Sequence, residues 1–293
     1  MLIREAGPDD HASMIALCTA RNPHQTSAEA GWMLEVPETW PDLVALVACS
    51  DDVLLGHVVM ASGTFMATGR TVVAVSVAAA YEGTGVGRDL WTALAPRIPA
   101  STTQLRTAVY DDEPRALAVA QHWGFEVEEL SITSAMLLDP TTPAPSPPPD
   151  VTLDSSTDFA YPDRAAVEAM LLSSRTSPEA LAGAVLDLDR LQATMQGSEP
   201  VQVVARVDGV PAAIVSGSIY EGQLSVMYTG VDPRFRGRGL ALLVKQQAHH
   251  DAVRLGATSS STTNEVGNAG IRGINTRMGY EAQHGAYRLR FNR

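Results

Sequence analysis

The sequence predicts an α/β protein made of two tandem domains, and three observations support this prediction. A proline-rich segment lies near the middle of the 293-residue chain. A glycine-rich loop occurs once on each side of that segment, in a similar context. Within each half, short β-branched runs alternate with segments of helical periodicity. Each half has about 140 residues, which is an ordinary size for one domain.

The proline-rich segment covers residues 139–150 and reads DPTTPAPSPPPD. Proline removes backbone donors and favours an extended polyproline conformation, so this segment is predicted to be a linker. The predicted domains are therefore residues 1–138 and residues 151–293.

The two halves share a spaced set of glycines that indicates an internal duplication. The loops Gly83–Gly87 and Gly237–Ala241 are followed, 41 and 42 residues after their first glycine, by Gly124 and Gly279. Such matched spacing is better explained by a repeated unit than by chance. In the second half, the pattern predicts a hairpin around Asp208–Gly209 with strands at 201–207 and 212–219, then a strand at 223–231, a helix at 240–255, a strand at 258–263, a helix at 268–277 and a strand at 282–291.

Composition excludes several classes of protein. The chain is 45% hydrophobic and 18% charged, as expected for a folded protein. A net charge of −12 argues against nonspecific nucleic-acid binding and mildly favours a cationic small-molecule partner. Cys18 and Cys49 are the only cysteines, so we expect buried free thiols rather than disulfides or a metal site. The N-terminus shows no leader pattern and no apolar run is long enough to span a bilayer, which predicts a cytoplasmic protein without membrane partners.

The most informative stretch is Thr229–Ala241, where a predicted strand leads through a glycine loop into a long helix. Glycines let the backbone approach an anion, and the first amides and the dipole of the helix then face it. Arginines at 234, 236 and 238 add positive charge. The stretch predicts a pyrophosphate cradle, with a plain strand-to-helix turn as the alternative. Neither a P-loop nor a Rossmann fingerprint fits.

Residues Arg234–Gly239 match the pattern Q/R-x-x-G-x-G/A, and by this motif the chain resembles the GCN5-related N-acetyltransferase (GNAT) family. The order of later features agrees, and both halves take part in the resemblance, which is to the tandem two-domain type similar to mycothiol synthase. It implies two tandem GNAT-like domains, each with a mixed, mostly antiparallel central sheet flanked by helices. It also implies acetyl-CoA as co-substrate, no metal, and acetyl transfer to a primary amine.

The resemblance also implies a set of cofactor-binding residues in the second half. Amides of the loop would bind the pyrophosphate, strand residues would pair with the pantetheine arm, and asparagines would flank that arm. These residues are Gly230, Val231, Arg236, Gly237, Arg238, Gly239, Leu240, Ala241, Asn264, Asn268 and Asn275. Without the family, the asparagines fit turn or helix-cap positions equally well.

The first half departs from the motif. Ala80 stands where glutamine or arginine is expected, Glu82 places like charge near a pyrophosphate, Arg88 compensates for it only in part, and Pro96 ends the helix early. We therefore expect the first domain to be degenerate and the second to be catalytic. Whether the first half binds CoA stays open.

The thioester chemistry requires an unprotonated amine, donors for the oxyanion and a route for the proton. The Val231 amide is the oxyanion candidate, and no covalent intermediate is needed. Many relatives have a tyrosine acid four residues before the last glycine, where this chain has Asn275. As base, the sequence offers Glu221 and Tyr228, which fit a solvated turn residue and a core aromatic as well. His249 is expected at the surface.

The leading hypothesis is thus an acetyl-CoA-dependent N-acetyltransferase that acts on a primary amine of a small molecule or peptide. A non-catalytic CoA-binding sensor or scaffold is the first alternative, and a site for another phosphorylated ligand is the second. The acceptor, the acyl preference and the oligomeric state are left open by the sequence.

Overall fold

The computed structural model describes residues 1–35, 40, 42–51, 53–63, 66–175, 187–193, 195 and 197–293. The chain divides into two compact units, each of which combines a sheet with helices. The first unit comprises Met1–Glu129 with Ala286–Arg293, and the second comprises Leu130–Gly285. Within the described ranges, none of the helices has both the length and the apolar character needed to cross a membrane.

The first unit contains a mixed sheet in which β4 and β5 are parallel and the other neighbours are antiparallel. In spatial order its strands are β1 (Leu2–Glu5), β2 (Val44–Ser50), β3 (Val53–Ala61), β4 (Arg70–Val77), β5 (Gln104–Tyr110) and the second half of β12 (Glu281–Asn292). Its helices are α1 (Pro8–Arg21), α2 (Ser27–Glu35), α3 (Val86–Leu94) and α4 (Pro114–His122).

The second unit repeats this plan, with β10 and β11 as its parallel pair. In spatial order its strands are β7 (Val151–Ser156), β8 (Glu199–Val207), β9 (Val210–Tyr220), β10 (Gln223–Val231), β11 (Ser259–Glu265) and the second half of β6 (Glu126–Leu137). Its helices are α5 (Arg164–Ser174), α6 (Leu188–Ala193), α7 (Leu240–Arg254) and α8 (Ala269–Met278). The predicted α/β class with mostly antiparallel sheets is confirmed.

The last strand of each half lies in the unit of the other half. Residues Ala286–Asn292 of β12 pair with β5, and residues Ser131–Leu137 of β6 pair with β11. The units therefore differ from the predicted domains 1–138 and 151–293 at these two stretches. A strand pattern in the sequence does not reveal its partner, because the partner is chosen by the sheet ladder. Residues 139–150 contain no helix or strand and connect β6 to β7.

The core of the second unit lies on both faces of β8 and β9, because successive residues of a strand point to opposite faces. Val203 and Val215 pack with Val244 of α7 in one apolar cluster. Val204 and Ile214 belong to a second cluster, which includes Met170 and Leu171 of α5. The predicted Asp208–Gly209 hairpin is confirmed, and both of its turn residues have positive φ.

A polar network is buried where α7 packs near α8 and β11. The Lys245 ammonium is fully buried, donates to Asn275 Oδ1 at 2.6 Å and lies 4.7 Å from the centroid of the Tyr280 ring. The Tyr280 hydroxyl is 2.7 Å from His249 Nε2 and 2.6 Å from Ser260 Oγ. The expectation that His249 lies at the surface is therefore wrong, because its imidazole is packed against Tyr280 in the interior.

Burial sets the protonation of both basic groups in this network. It lowers the pKa of Lys245 to about 7. Burial, together with the nearby Lys245, lowers the pKa of His249 to about 3. An unfolded chain keeps the pKa of lysine near about 10.4. The unfolded state therefore binds more protons than the folded state from about pH 7 to about pH 10, and the free energy of unfolding rises with pH across this window.

Replacing Lys245 by methionine, which keeps most of the side-chain volume, should remove this dependence. We expect the unfolding free energy of Lys245→Met to rise less steeply than that of the wild type from pH 7 to 9, by up to about 1.4 kcal/mol per pH unit. Urea unfolding of both proteins at several pH values measures the difference, in which contributions from other groups cancel. Parallel pH profiles would show that Lys245 is charged in the folded protein throughout.

Candidate functional site

The central feature of the second unit is a gap between its two parallel strands. Among the described residues, the ladder between β10 and β11 joins Gln223–Val226 to Ser259–Thr262 and extends no further. Beyond it, β10 remains paired with β9 as far as Val231, and β11 remains paired with β6 as far as Glu265. The two strands therefore separate, and the edge of β10 that faces β11 is open from Met227 onward.

The Val231 amide points into this gap. The next residue, Asp232, donates its backbone N–H to the Ala212 carbonyl on the β9 side at 2.9 Å. Successive backbone N–H groups of a strand point to opposite sides, so the Val231 N–H is directed away from β9. The Val231 N–H is therefore available to a group that lies in the gap.

The predicted cradle follows directly after β10. Gly237 and Gly239 both have φ of +78°, a conformation that favours glycine, and a Cβ at either would meet no atom within 4 Å. Gly239 is the N-cap of α7 and makes no side-chain cap hydrogen bond. The loop before the buried Leu240 is exposed, and the first amides of α7 have no partner within the helix, so they are available to an anion.

The three arginines of the loop have different partners. Arg234 forms an ion pair with the buried Asp232, at 3.0 Å between Nε and Oδ1, and this pairing holds the pKa of Asp232 far below its usual range. Arg238 pairs with Asp150. Arg236 is exposed and donates to the Val231 carbonyl at 3.3 Å. Arg234 and Asp232 therefore brace the loop, and Arg236 brings positive charge to the end of β10.

Tyr228 lies beside the gap and is held by α5. Its hydroxyl is 2.7 Å from Ser174 Oγ. Ser174 directs its only proton to the Leu171 carbonyl at 2.8 Å, so Tyr228 is the donor in this pair. A Cβ at Gly230 would come within 2.7 Å of the Tyr228 hydroxyl, so glycine is required there. Burial raises the pKa of Tyr228, which keeps it protonated at neutral pH and suits it as a proton donor rather than as the base.

Glu221 lies at the other end of β10. It is an exposed residue of the β9–β10 turn with φ of +47°. The strand separates it from Val231 by roughly 30 Å, at about 3.3 Å for each residue. The structure therefore does not bring Glu221 together with the gap or the loop, which leaves it as a solvated turn residue.

The three asparagines occupy different positions. Asn268 caps α8 by accepting a hydrogen bond from the Ile271 amide at 3.3 Å. Asn264 lies on β11 beyond the last residue paired with β10, and accepts from Asn275 Nδ2 at 2.7 Å. Asn275 is buried and links Asn264 to Lys245. Asn264 is therefore placed beside the gap, and Asn275 supports it from behind.

Lys245 and Ser174 were not singled out from the sequence. The sequence did contain a signal for Lys245, because it is the only lysine among 21 basic residues. Ser174 carried none, because its contact with Tyr228 joins residues 54 positions apart.

The first unit has a gap and a loop of the same kind. The β4–β5 ladder joins Arg70–Val72 to Gln104–Arg106, while β4 continues to Val77. Gly83 and Gly85 have positive φ, and Gly85 is the N-cap of α3. Glu82 does not leave the uncompensated charge expected from the sequence, because Arg21 and Arg115 bind its carboxylate at 2.5 and 2.6 Å.

Comparison with known proteins gives a match to a family model in the first half of the chain. The acetyltransferase (GNAT) family model matches residues 14–125, which lie in the first unit. No curated protein sequence gives a significant match to the chain. The family match therefore falls on the half that the sequence motif led us to expect as degenerate.

Solved structures show the same fold over the whole chain. A tandem GNAT protein from the clavulanic acid biosynthesis pathway has a TM-score of 0.75 at 19% identity, covering 99% of this chain and 98% of its own. A GCN5-related N-acetyltransferase from Sphaerobacter thermophilus has a TM-score of 0.73 at 18% identity, with coverage of 99% and 95%. A GCN5-related glucosamine N-acetyltransferase region of a fungal multi-domain protein has a TM-score of 0.72 at 16% identity, with coverage of 99% and 38%. Residues 14–125 therefore match the acetyltransferase (GNAT) family model, and the whole chain shares its fold with solved tandem GNAT proteins.

Proposed function

We propose that the protein is an acetyl-CoA-dependent N-acetyltransferase whose second unit holds the cofactor. The observation that carries this proposal is the junction at the end of β10, where an open strand edge meets a glycine loop and an uncapped helix start. A strand edge suits the amides of pantetheine, and the helix start suits a pyrophosphate. Acetyl-CoA has both groups in that order.

The loop from Arg236 to Ala241 would bind the pyrophosphate through backbone amides, with Arg236 and Arg238 adding charge. Gly230 and Val231 would pair with the pantetheine arm, and Asn264 and Asn268 would lie along its other side. This arrangement would bring the thioester near Gly230, within reach of the Tyr228 hydroxyl.

The reaction proposed is direct attack of an unprotonated amine on the acetyl carbon. The Val231 N–H would stabilise the oxyanion, because it already points into the gap and needs no reorientation. Tyr228 would donate its proton to the departing CoA sulfur, since burial keeps the hydroxyl protonated. In the resting protein Tyr228 donates this proton to Ser174, which holds the hydroxyl over Gly230. The proton would turn from Ser174 to the sulfur as the sulfur departs.

The acceptor proposed is a primary amine of a small molecule or peptide in the cytoplasm. The net charge of −12 favours a cationic amine. One structural neighbour is described as a glucosamine N-acetyltransferase, which makes amino sugars a sensible member of a test panel beside polyamines and aminoglycosides.

Charge placed in the cradle should abolish cofactor binding in the second unit. We expect the Kd for acetyl-CoA at this site to rise by at least about tenfold in Gly237→Glu/Gly239→Glu, because two carboxylates would repel the pyrophosphate. Calorimetric titration with acetyl-CoA measures it. Gly83→Glu/Gly85→Glu should keep this binding, which assigns it to the second unit.

The matched control is Gly256→Glu, which follows the other end of α7. Gly256 also has positive φ, and a Cβ there also meets no atom within 4 Å. The Gly256→Glu variant therefore introduces the same kind of backbone strain without placing charge in the loop. It should bind acetyl-CoA as the wild type does. A wild-type protein that does not bind acetyl-CoA would overturn the proposed function.

Removing the Tyr228 hydroxyl should slow turnover without weakening cofactor binding. We expect Tyr228→Phe to lower kcat by about 100-fold, the usual contribution of a positioned acid, with the Kd for acetyl-CoA unchanged. Release of CoA thiol across the amine panel measures turnover. Tyr220→Phe, at the exposed end of β9, is the matched control.

Full kcat in Tyr228→Phe would exclude this tyrosine as the acid and leave the transferase assignment intact. Tight acetyl-CoA binding without CoA release for any amine would instead favour a sensor or scaffold.

A further inference from the structure

The first unit contains a cluster of reactive side chains that the proposed function does not use. Cys18 on α1 has its Sγ 3.3 Å from His57 Nε2 on β3 and 3.6 Å from Ser76 Oγ on β4. His57 is 1% exposed and Ser76 is 8% exposed, whereas Cys18 is only partly buried. A thiol, an imidazole and a hydroxyl therefore meet at the inner face of α1, with the thiol nearest to solvent.

Burial keeps the imidazole neutral, with its Nε2 directed at the thiol. Burial lowers the pKa of His57 to about 4, so the ring is neutral at physiological pH. Its Nδ1 is buried and has no hydrogen-bond partner among the described residues. A buried polar atom left unsatisfied destabilises the folded protein, and a catalytic role is one of the reasons for which such an atom is kept. Burial also raises the pKa of Cys18, so the resting pair is a neutral thiol beside a neutral imidazole.

The cluster lies at the open end of β4. Ser76 directly precedes Val77, the last residue of the strand. The backbone N–H of Ala78 donates to the Leu55 carbonyl on the β3 side at 2.9 Å. By the alternation of strand amides, the Val77 N–H points into the gap between β4 and β5.

The glycine loop that follows is lined by arginines. Arg88 Nη2 lies 3.0 Å from the position of a Cβ at Gly85, and Arg115 Nη2 lies 3.5 Å from that of a Cβ at Gly83. Arg115 also neutralises Glu82 in this loop. Arg88 is itself paired with Asp89 at 3.1 Å, so both arginines of this loop have a carboxylate partner. The first unit thus has a glycine loop with arginines beside it, an open strand edge, and a thiol that contacts Ser76 near the end of β4.

We propose that Cys18 is an acyl-acceptor site, which takes an acyl group from a CoA thioester held by the Gly83–Gly87 loop and passes its proton to His57. This site is separate from the gap of the second unit, and it makes the first unit reactive rather than degenerate.

The step is a thioester exchange from CoA to Cys18. A bond forms between Cys18 Sγ and the acyl carbon, and the bond from that carbon to the CoA sulfur breaks. The thiol proton moves to His57 Nε2 and then to the departing CoA sulfur, so no oxidant or further reactant is needed. The Val77 N–H faces the oxyanion that forms in between. One thioester replaces another, so the exchange is close to neutral in free energy.

The test is to incubate the protein with acetyl-CoA, quench it in acid and locate acetyl groups by peptide mass spectrometry. Trypsin separates the two cysteines, because Arg4 and Arg21 flank Cys18 whereas Cys49 lies in the next peptide. We expect acetylation of the Cys18 peptide in the wild type and in Cys49→Ser, and its loss in Cys18→Ser. Cys49 is also a half-buried free thiol, which makes it the internal control.

Two variants test the assigned roles. His57→Gln and Gly83→Glu/Gly85→Glu should each slow acetylation by at least about tenfold, since one lacks the base and the other the cradle. Thermal unfolding confirms that each variant is folded. The proposal would be overturned if Cys18 is not acetylated, or if Cys18 and Cys49 are acetylated equally. It would also be overturned if either variant acetylates Cys18 at the wild-type rate. Acetyl-CoA binding in the second unit is measured separately and stands or falls independently.

Discussion

The separation of the two parallel strands is the constraint on which each site depends. In the second unit, β10 stays paired with β9 along its length, and β11 stays paired with β6, so neither strand can close the gap beyond Val226. Backbone amides such as that of Val231 are left facing an opening, where a strand-like ligand can satisfy them. The glycine loop begins where β10 ends, so the open strand edge and the start of α7 are joined by one continuous piece of backbone.

The gap between parallel strands and its glycine loop occur in both units, but the side chains beside them differ. Gly230 and Ser76 each directly precede the last residue of the strand that borders a gap. In the second unit, the absence of a side chain at Gly230 makes room for Tyr228 and Ser174. In the first unit, Ser76 meets Cys18 and His57 instead. The two gaps therefore share their backbone arrangement and differ in the side chains beside them.

A buried lysine on α7 supports the second unit next to β11. Lys245 is fully buried, and its hydrogen bond to Asn275 continues to Asn264 beside the gap. Arginine is the usual cation of this chain, yet its larger guanidinium would not lose its proton in such a site. Lysine can become neutral there, which reduces the cost of burying it. Burying Lys245 still lowers the free energy of unfolding at neutral pH. We interpret the residue as one that is retained because it positions Asn264.

The sequence by itself determined the α/β class, the duplication, the strand and helix order of the second half, and the loop from Arg236 to Ala241. These features are local, because periodicity, turn residues and glycine spacing act over a few neighbouring positions. Only the tertiary structure decided that β6 and β12 join the sheets of opposite units, since a strand pattern does not specify its partner. It also decided that Glu221 and Val231 lie at opposite ends of one strand, and that Cys18, His57 and Ser76 meet. Residues far apart in sequence come together only through packing, which no local pattern records.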